Sequence, residues 1–291
     1  MKKYLVETES AGQRADIFVA EKYPEYSRSA LRGLFDKSRI NINDKTGKPG
    51  YKLRLGDKVI VNTDMLRPTR KSIHLPVIYE DKDVVVMDKP AGVLTHSKGA
   101  LNQEPTVASF LSRKISDKSL RGNRAGIVHR LDRATSGIII GAKNQRAQKW
   151  LQKLFATRKV KKTYFAIVKG VIEPDEAIIE APIARNSRKP HTFKVSASGK
   201  SARTEYKLLR TIEKDGRQYS LVELRPITGR THQLRVHLAY IGHPVVGDTA
   251  YGSGGENLYL HAGELELTLP GGEQRVFTAP LPKIFKELPA A

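Results

Sequence analysis

Cysteine is absent from the 291-residue chain. Its absence excludes disulfide scaffolds, thiolate zinc sites, cysteine nucleophiles and iron–sulfur clusters, and it fits a reducing compartment. Long apolar runs are absent too: the amino terminus has only Tyr4-Leu5-Val6 before Glu7, which is too short for a signal peptide. No segment approaches the roughly 18 consecutive apolar residues of a membrane span. We therefore expect a cytoplasmic protein with no membrane partner.

Several catalytic motifs are also missing. There is no Gly-x-x-x-x-Gly-Lys-Ser/Thr loop, which argues against a P-loop nucleotidase. The 8 histidines show no metal spacing, and His96 and His129 are expected to be hydrogen-bonded structural residues rather than ligands. Two-metal nuclease chemistry needs clustered acids that the basic part of the chain lacks. The sequence thus predicts neither a metal nor a cofactor.

Positive charge is abundant. The chain has 51 Lys and Arg against 30 Asp and Glu, a formal net charge of +21. Residues 113–162 alone hold 15 Lys and Arg and two acids, Asp117 and Asp132. A solvated basic surface is the simpler explanation, but the clustering favours binding of a nucleic acid through its phosphates.

Residues 1–72 have the pattern of a small separate module, followed by a linker over residues 63–75 that overlaps its end. Arg28 and Arg32, with Arg39, lie on one face of a predicted helix, opposite its apolar residues, which suits RNA binding. The predicted elements are a helix from Arg14 to before Pro24, a helix capped by Ser27 or Ser29, a strand at Arg39–Asn43, a turn at Asn43–Gly47 and a strand at Lys58–Val61.

Residues 73–291 have the pattern of one larger α+β domain. Asn144 is the predicted N-cap of one helix, and a second helix begins near Thr231 and ends at Gly242-His-Pro244. The strand candidates are Val84–Asp88, Ile127–Arg130, Gly137–Ala142, Thr163–Lys169, Thr204–Arg210 and Gln218–Leu224.

Asp132 is the first candidate for chemistry. It lies in a polar turn between two apolar strand-like runs, and loops are where functional side chains concentrate. Its cationic neighbours Arg130 and Arg133 favour the ionised carboxyl, which could serve as a nucleophile or base. An Asp that caps the turn or pairs with an arginine explains the pattern as well.

Two further segments carry polar candidates. Thr231 and Arg235 are four residues apart on the second helix, so they share a face, and a helix N-terminus with arginines suits a phosphate or carboxylate. Tyr164 begins a strand after a basic turn and could stack on a base while presenting its hydroxyl. A basic surface helix and an ordinary core tyrosine remain the alternatives.

Together these segments resemble the RluA-type pseudouridine synthases. The motifs that carry the resemblance are His129-Arg-Leu-Asp132 with Thr135-Ser-Gly137, Lys162-Thr-Tyr164, Leu224-Arg-Pro-Ile-Thr-Gly-Arg-Thr-His-Gln-Leu-Arg235, Asp88-Lys-Pro-Ala-Gly92 and His243-Pro-Val-Val-Gly-Asp248. The amino-terminal module resembles the RNA-binding fold named after the fourth protein of the small ribosomal subunit. That likeness rests on Ser27-Arg-Ser-Ala-Leu31, Arg39-Ile-Asn-Ile-Asn43 and Leu55-Gly-Asp-Lys-Val-Ile-Val61.

The resemblance implies a mixed, largely antiparallel sheet with flanking helices and a central cleft, and isomerisation of uridine in RNA to pseudouridine. Asp132 would be the catalytic carboxylate, Arg235 its ion-pair partner, and Tyr164 would stack on the base and remove the C5 proton. The remaining residues that we expect to contact substrate are His129, Arg130, Leu224, Arg225, Thr231, Arg28 and Arg32.

Large-subunit ribosomal RNA is the expected substrate and transfer RNA the alternative, and we expect a monomer. A non-catalytic ribosomal RNA-binding protein and a uridine-directed hydrolase are the competing hypotheses; free uracil would reveal the hydrolase.

Overall fold

The structure, a computed structural model, describes two compact units. One comprises Met1–Ser72 with Ser97–Pro105, and the other Ile73–His96 with Thr106–Ala291. The sequence analysis predicted a boundary after residue 72 and did not foresee the assignment of Ser97–Pro105 to the first unit. The described residues are 1–24, 26, 28–64, 73–97, 104–115, 117, 120 and 124–286.

The first unit packs two helices on a small antiparallel sheet of strand order β1-β4-β2-β3. Its core contains Phe18, Leu31, Leu34 and Val59. The elements are β1 (Lys2–Leu5), α1 (Ala15–Lys22), α2 (Arg28–Asp36), β2 (Ile40–Ile42), β3 (Lys45–Thr46) and β4 (Lys58–Val61), with a 3-10 turn at Thr8–Ser10.

Two details of this unit differ from the sequence prediction. Asn43 and Asp44 adopt positive φ and form a two-residue hairpin turn. Strand β3 therefore begins at Lys45, inside the segment that was predicted to be a longer turn. Ser29 lies within α2 and is not its cap, while Ser27 lies outside the described residues. Of the three arginines expected on one face of this helix, Arg28 and Arg32 are exposed on α2, whereas Arg39 lies beyond the end of the helix at Asp36.

The second unit is built on one mixed, largely antiparallel sheet. Within its described part, the strand order is β5-β6-β7-β14-β8-β13-β12-β9, with β15 paired to β14. The elements are β5 (Val77–Glu80), β6 (Val84–Lys89), α3 (Val107–Leu111), β7 (Ser136–Ala142), α4 (Gln145–Ala156), β8 (Lys161–Lys169), β9 (Glu176–Glu180), β10 (Ile183–Arg185), β11 (Phe193–Val195), β12 (Arg203–Lys214), β13 (Arg217–Pro226), α5 (Gln233–Tyr240), β14 (Leu260–Thr268) and β15 (Gln274–Thr278), with a 3-10 turn at Lys283–Phe285.

The middle of this sheet is a short seam. Strands β7 and β14 run parallel and pair only at Ser136 with His261 and at Gly137 with Ala262. Gly137 has a φ of +110°, and a Cβ there would lie 2.2 Å from the Ala262 carbonyl oxygen. Only glycine allows this approach, which explains the glycine of the Thr135-Ser-Gly137 motif.

Helix α4 begins as predicted. The Asn144 side chain accepts a hydrogen bond from Ala147 N at 2.9 Å, which satisfies one of the amide donors left without partners at a helix start. Ala147, Leu151 and Leu154 are buried at helical spacing, and they anchor the helix against the sheet. In the described ranges, no helix is long and apolar enough to cross a membrane.

Candidate active site

The loop that carries Asp132 is held on both sides by the segment after β6. Thr95 Oγ1 donates to the Leu131 carbonyl oxygen at 2.8 Å and accepts from Leu131 N at 3.2 Å. On the other side, Gly92 N donates to the Arg133 carbonyl oxygen at 2.8 Å. With both neighbours fixed, the carboxylate is presented in a defined position.

Lys89 is buried between the Asp132 loop and the segment after β6 that holds it. Its ammonium donates to the carbonyl oxygens of Pro90, Val93 and Arg133 at 2.9–3.2 Å. Burial lowers the pKa of Lys89 to about 8, although the charge of Asp132 acts in the opposite direction. The sequence contained this lysine in a recognised motif but offered no sign that it supports the Asp132 loop.

The strand predicted at Ile127–Arg130 does not form. Ile127 makes one isolated antiparallel bridge to Gly141. Beyond it, the side chain of His129 replaces a strand partner: its Nε2 accepts a hydrogen bond from Ile140 N of β7 at 2.9 Å. The Ile140 N–H donates to this side chain and so needs no further strand as a partner, and the apolar strand-like run was misleading here.

His129 is a neutral histidine in the wall of the cleft. Its ring stacks on Phe155 with centroids 4.5 Å apart. Burial, with a smaller contribution from the charge of Lys162, lowers the pKa of His129 to about 3. Because Nε2 accepts the Ile140 amide, the ring proton resides on Nδ1.

Arg235 joins two carboxylates. Its Nε and Nη2 bind Asp248 in a bidentate pair at 2.7 Å each, and its Nη1 donates to Asp132 Oδ2 at 3.3 Å. Burial acts to lower the Arg235 pKa, but Asp248 and then Asp132 outweigh it and the pKa is raised. The expected Asp132–Arg235 pair is therefore present, and the bidentate pair with Asp248 orients the guanidinium of Arg235.

Asp248 belongs to a motif of the sequence analysis but was assigned no role there. Its side chain has 0% exposure, and Oδ1 also accepts from the backbone amides of Ala250 and Tyr251. Burial tends to raise the Asp248 pKa, but Arg235 and those amides lower it below its ordinary value. The preceding Gly247, at a φ of +78°, lies so close to the Asn257 carbonyl that no Cβ would fit.

Helix α5 begins later than predicted. His232 is left-handed, with φ 57°, so the helix starts at Gln233 and Thr231 is not on it. The Gln233 side chain stabilises the turn before α5, because its Oε1 accepts hydrogen bonds from Arg230 N at 3.0 Å and from the Thr228 hydroxyl at 2.6 Å. Thr231 nevertheless lines the cleft.

Tyr164 and Leu224 are neighbours on adjacent strands, because β8 and β13 pair at these two residues. Leu224 is fully buried and is not among the residues that line the cleft. Tyr164 lines the cleft. Burial, together with the charge of Asp132, raises the pKa of the Tyr164 hydroxyl well above its ordinary value, so at neutral pH this group is a phenol.

These side chains converge on a cleft of about 450 Å³, within the usual size range of ligand sites. Burial and the charge of Arg158 lower the pKa of Lys162 on its wall to about 8. Within the described part of the chain, its charged lining is Arg130, Arg158, Lys162, Arg230, Arg235 and the single acid Asp132.

Arg225 does not reach the cleft. Side chains alternate across a strand, so Arg225 points to the face opposite Leu224, where it pairs with Glu223 at 2.8 Å. The substrate contact expected of Arg225 therefore has no support in its placement. Arg28 and Arg32 belong to the other unit.

The charged groups of the cleft are several cations and one carboxylate, that of Asp132, among the residues that the structure describes. Across the residues that the structure describes, no group of three or more His, Cys, Asp or Glu is placed to hold a metal ion. An oriented carboxylate in a cationic cleft can attack or deprotonate a sugar whose phosphates are bound nearby.

Comparison with known proteins defines the class. The family model described as RNA pseudouridylate synthase matches residues 83–240, which include Asp132, Tyr164 and Arg235. The chain belongs to this family and is an RNA pseudouridine synthase.

Among its relatives, the ribosomal large subunit pseudouridine synthase D of Haemophilus influenzae is 35% identical over 97% of this chain and 92% of its own length. An uncharacterised RNA pseudouridine synthase of Aquifex aeolicus is 39% identical over 84% of this chain and 78% of its own. The solved human RNA pseudouridylate synthase domain containing 1 is 30% identical, with a TM-score of 0.60 over 73% of this chain and 86% of its own.

Proposed function

We propose that this enzyme isomerises uridine to pseudouridine in large-subunit ribosomal RNA, with Asp132 as the catalytic carboxylate. The reaction breaks the bond from ribose C1′ to uracil N1, turns the base over and bonds C5 to the same carbon. The observation that carries the proposal is the Asp132–Arg235 contact of 3.3 Å on the cleft, with Arg235 locked to the buried Asp248.

Four cleft residues have a part in this scheme. Asp132 attacks or deprotonates the ribose, and the proposal leaves both routes open. Arg235 keeps the carboxylate charged and oriented. Tyr164 stacks on the base, and as a phenol it receives the C5 proton only while passing its own proton on. The target base must leave its stack to reach Asp132, and Arg130, exposed at the cleft, would fill the vacated space.

The assignment to ribosomal RNA rests on the relatives. Enzymes of Haemophilus influenzae and Borreliella burgdorferi named ribosomal large subunit pseudouridine synthase D cover 97% and 94% of this chain. Transfer RNA is the alternative substrate. A monomer remains the state expected from the sequence, and an assembling ribosomal subunit suits the cytoplasmic location expected from it.

Asp132→Asn tests the catalytic assignment. Transcripts of large-subunit ribosomal RNA and of transfer RNA carrying C5-tritiated uridine release tritium when C5 bonds to the ribose. We expect Asp132→Asn to abolish release while RNA affinity stays within about threefold, since phosphate contacts supply most of the binding. The matched control is Asp215→Asn in an exposed turn. Substantial release by Asp132→Asn would disprove the assignment, and free uracil would indicate a hydrolase.

We also propose that the amino-terminal unit is an RNA-binding domain of the ribosomal small-subunit type. Two helices followed by short strands, with Arg28 and Arg32 exposed on α2, support this. Reversing both charges to Glu should flatten the dependence of log affinity on log salt by about 1.4, since each phosphate contact in single strands contributes about 0.7. Reversal of Lys207 and Arg225 changes net charge equally and should alter the slope less. Equal effects would contradict the proposal.

A further inference from the structure

His232 lies between Tyr251 and the carboxylate of Asp132. Its Nδ1 is 2.7 Å from the Tyr251 hydroxyl oxygen, and its Nε2 is 3.7 Å from Asp132 Oδ2. The Tyr251 oxygen also accepts a hydrogen bond from Phe193 N at 2.9 Å. Polar groups therefore lead from the backbone of β11 through Tyr251 and His232 toward Asp132, with hydrogen bonds at the first two steps and a 3.7 Å gap at the last.

These polar groups determine where the imidazole proton resides. Burial lowers the pKa of His232, so the ring is neutral at neutral pH and has one N–H. With the Phe193 amide on its oxygen, Tyr251 is free to donate its hydroxyl proton to Nδ1, which leaves the ring proton on Nε2. The opposite tautomer would turn a lone pair of Nε2 toward the Asp132 carboxylate.

The ring has little freedom to leave this position. His232 has left-handed backbone, and its ring makes edge contacts with the rings of Phe193 and Tyr251 at centroid distances of 5.5 and 5.6 Å. The guanidinium of Arg235 lies 5.1 Å from the Tyr251 ring centroid. Tyr251 thus contacts both groups that approach Asp132.

We propose that His232 is a positioning residue for the reaction, with its Nε2–H held toward Asp132 by Tyr251. This inference rests on the proposed function. Among the described contacts, His232 and Arg235 both approach Oδ2, so together they hold this oxygen and leave Oδ1 to face the ribose. The 3.7 Å separation exceeds a hydrogen bond, and such contacts tighten when substrate closes the site.

A merely structural role for His232 makes a different prediction. If the ring only filled space between Phe193 and Tyr251, its loss would lower stability and affect kcat and KM together. A positioning role lowers kcat with little change in KM, since the oriented carboxylate acts only in the reaction. An amide that offers an N–H toward Asp132 should then restore rate.

The experiment combines histidine ¹⁵N NMR of the intact protein with kinetics on C5-tritiated large-subunit RNA. The wild-type spectrum should show His232 as the Nε2–H tautomer. We expect kcat to fall about a hundredfold in His232→Ala and about tenfold in Tyr251→Phe, with KM within twofold, as is usual for lost orienting partners. His232→Gln should recover much of the loss. The control is His243→Gln, whose ring contacts the Lys169 carbonyl away from the cleft.

Three results would overturn the proposal: an Nδ1–H tautomer in the wild type, an unchanged kcat in His232→Ala, or no advantage of folded His232→Gln over His232→Ala. Should His232→Ala fail to fold, Tyr251→Phe and His232→Gln decide by the same criteria. A wild-type enzyme that forms no pseudouridine would disprove the proposed function instead, and the tautomer would still be read from its spectrum.

Discussion

Two arginine–carboxylate pairs lie close together in the sequence but differ in how deeply their side chains are buried. Arg235 and Asp248 form a bidentate pair with side-chain exposures of 9% and 0%. Arg225 and Glu223 pair at a similar distance, but Arg225 is 62% exposed. The first pair orients a group in the cleft, whereas the second lies on the opposite face of β13.

The comparison shows that burial, rather than residue type, separates the two pairs. An exposed pair is screened by water and contributes little to stability. A buried pair is not screened, so removal of one partner leaves a charge without compensation. The cleft face of β13 and its neighbours should therefore be sensitive to changes that the outer face, formed by Glu176, Ile178, Glu205, Lys207, Glu223 and Arg225, tolerates.

The largest effect should come from the buried pair. Asp248→Asn keeps the side-chain shape but removes its charge, and we expect a loss of about 3–5 kcal/mol in the free energy of unfolding, with turnover lost as Arg235 reorients. Glu223→Gln on the outer face should cost less than about 1 kcal/mol. Urea unfolding measures both. Equal losses would mean that burial does not separate the pairs.

The second largest effect should come from removal of the Tyr164 hydroxyl. We expect Tyr164→Phe to slow tritium release by at least about a hundredfold, the lower range for loss of a proton-transfer group, while the ring keeps its stacking and the RNA its affinity. Tyr219→Phe, on the other face of the sheet, should leave the rate unchanged. Wild-type turnover in Tyr164→Phe would remove the hydroxyl from the reaction.

A smaller effect should appear in how the free energy of unfolding changes as the pH is lowered. The pKa of His129 is about 3 in the folded protein, against an unfolded value near 6.5. As pH falls through this window, the unfolded state gains a proton that the folded state does not, so stability falls by up to about 1.4 kcal/mol per pH unit. Below the folded pKa the loss is complete.

His129→Gln retains an acceptor for Ile140 N and removes this titration. We expect the unfolding free energy of the variant to depend less steeply on pH between about 6.5 and 4, whereas His191→Gln, at an exposed position, should retain the wild-type slope. Urea unfolding at several pH values in this range measures the difference. Parallel slopes in all three proteins would show that His129 takes up its proton in the folded state as well.

Periodicity predicted the elements where local pattern and packing agree. Asn144 caps α4, and the strands expected at Thr163–Lys169 and Gln218–Leu224 lie within β8 and β13. Prediction failed where a side chain replaced backbone pairing, as His129 does beside β7, and where a left-handed residue delayed a helix, as His232 does before α5. Arg225 was assigned to the substrate although strand alternation already placed it opposite Leu224.

The sequence by itself determined the class of enzyme, because Asp132, Tyr164 and Arg235 each lie in a motif that can be read locally. Which groups act on Asp132 was decided only by tertiary structure. Arg235 and Asp248 are 13 residues apart, and Lys89 and Thr95 come from a strand and loop some 40 residues before the carboxylate. Burial gives these contacts their strength by excluding water, and burial is a property of the packed chain that no single segment carries.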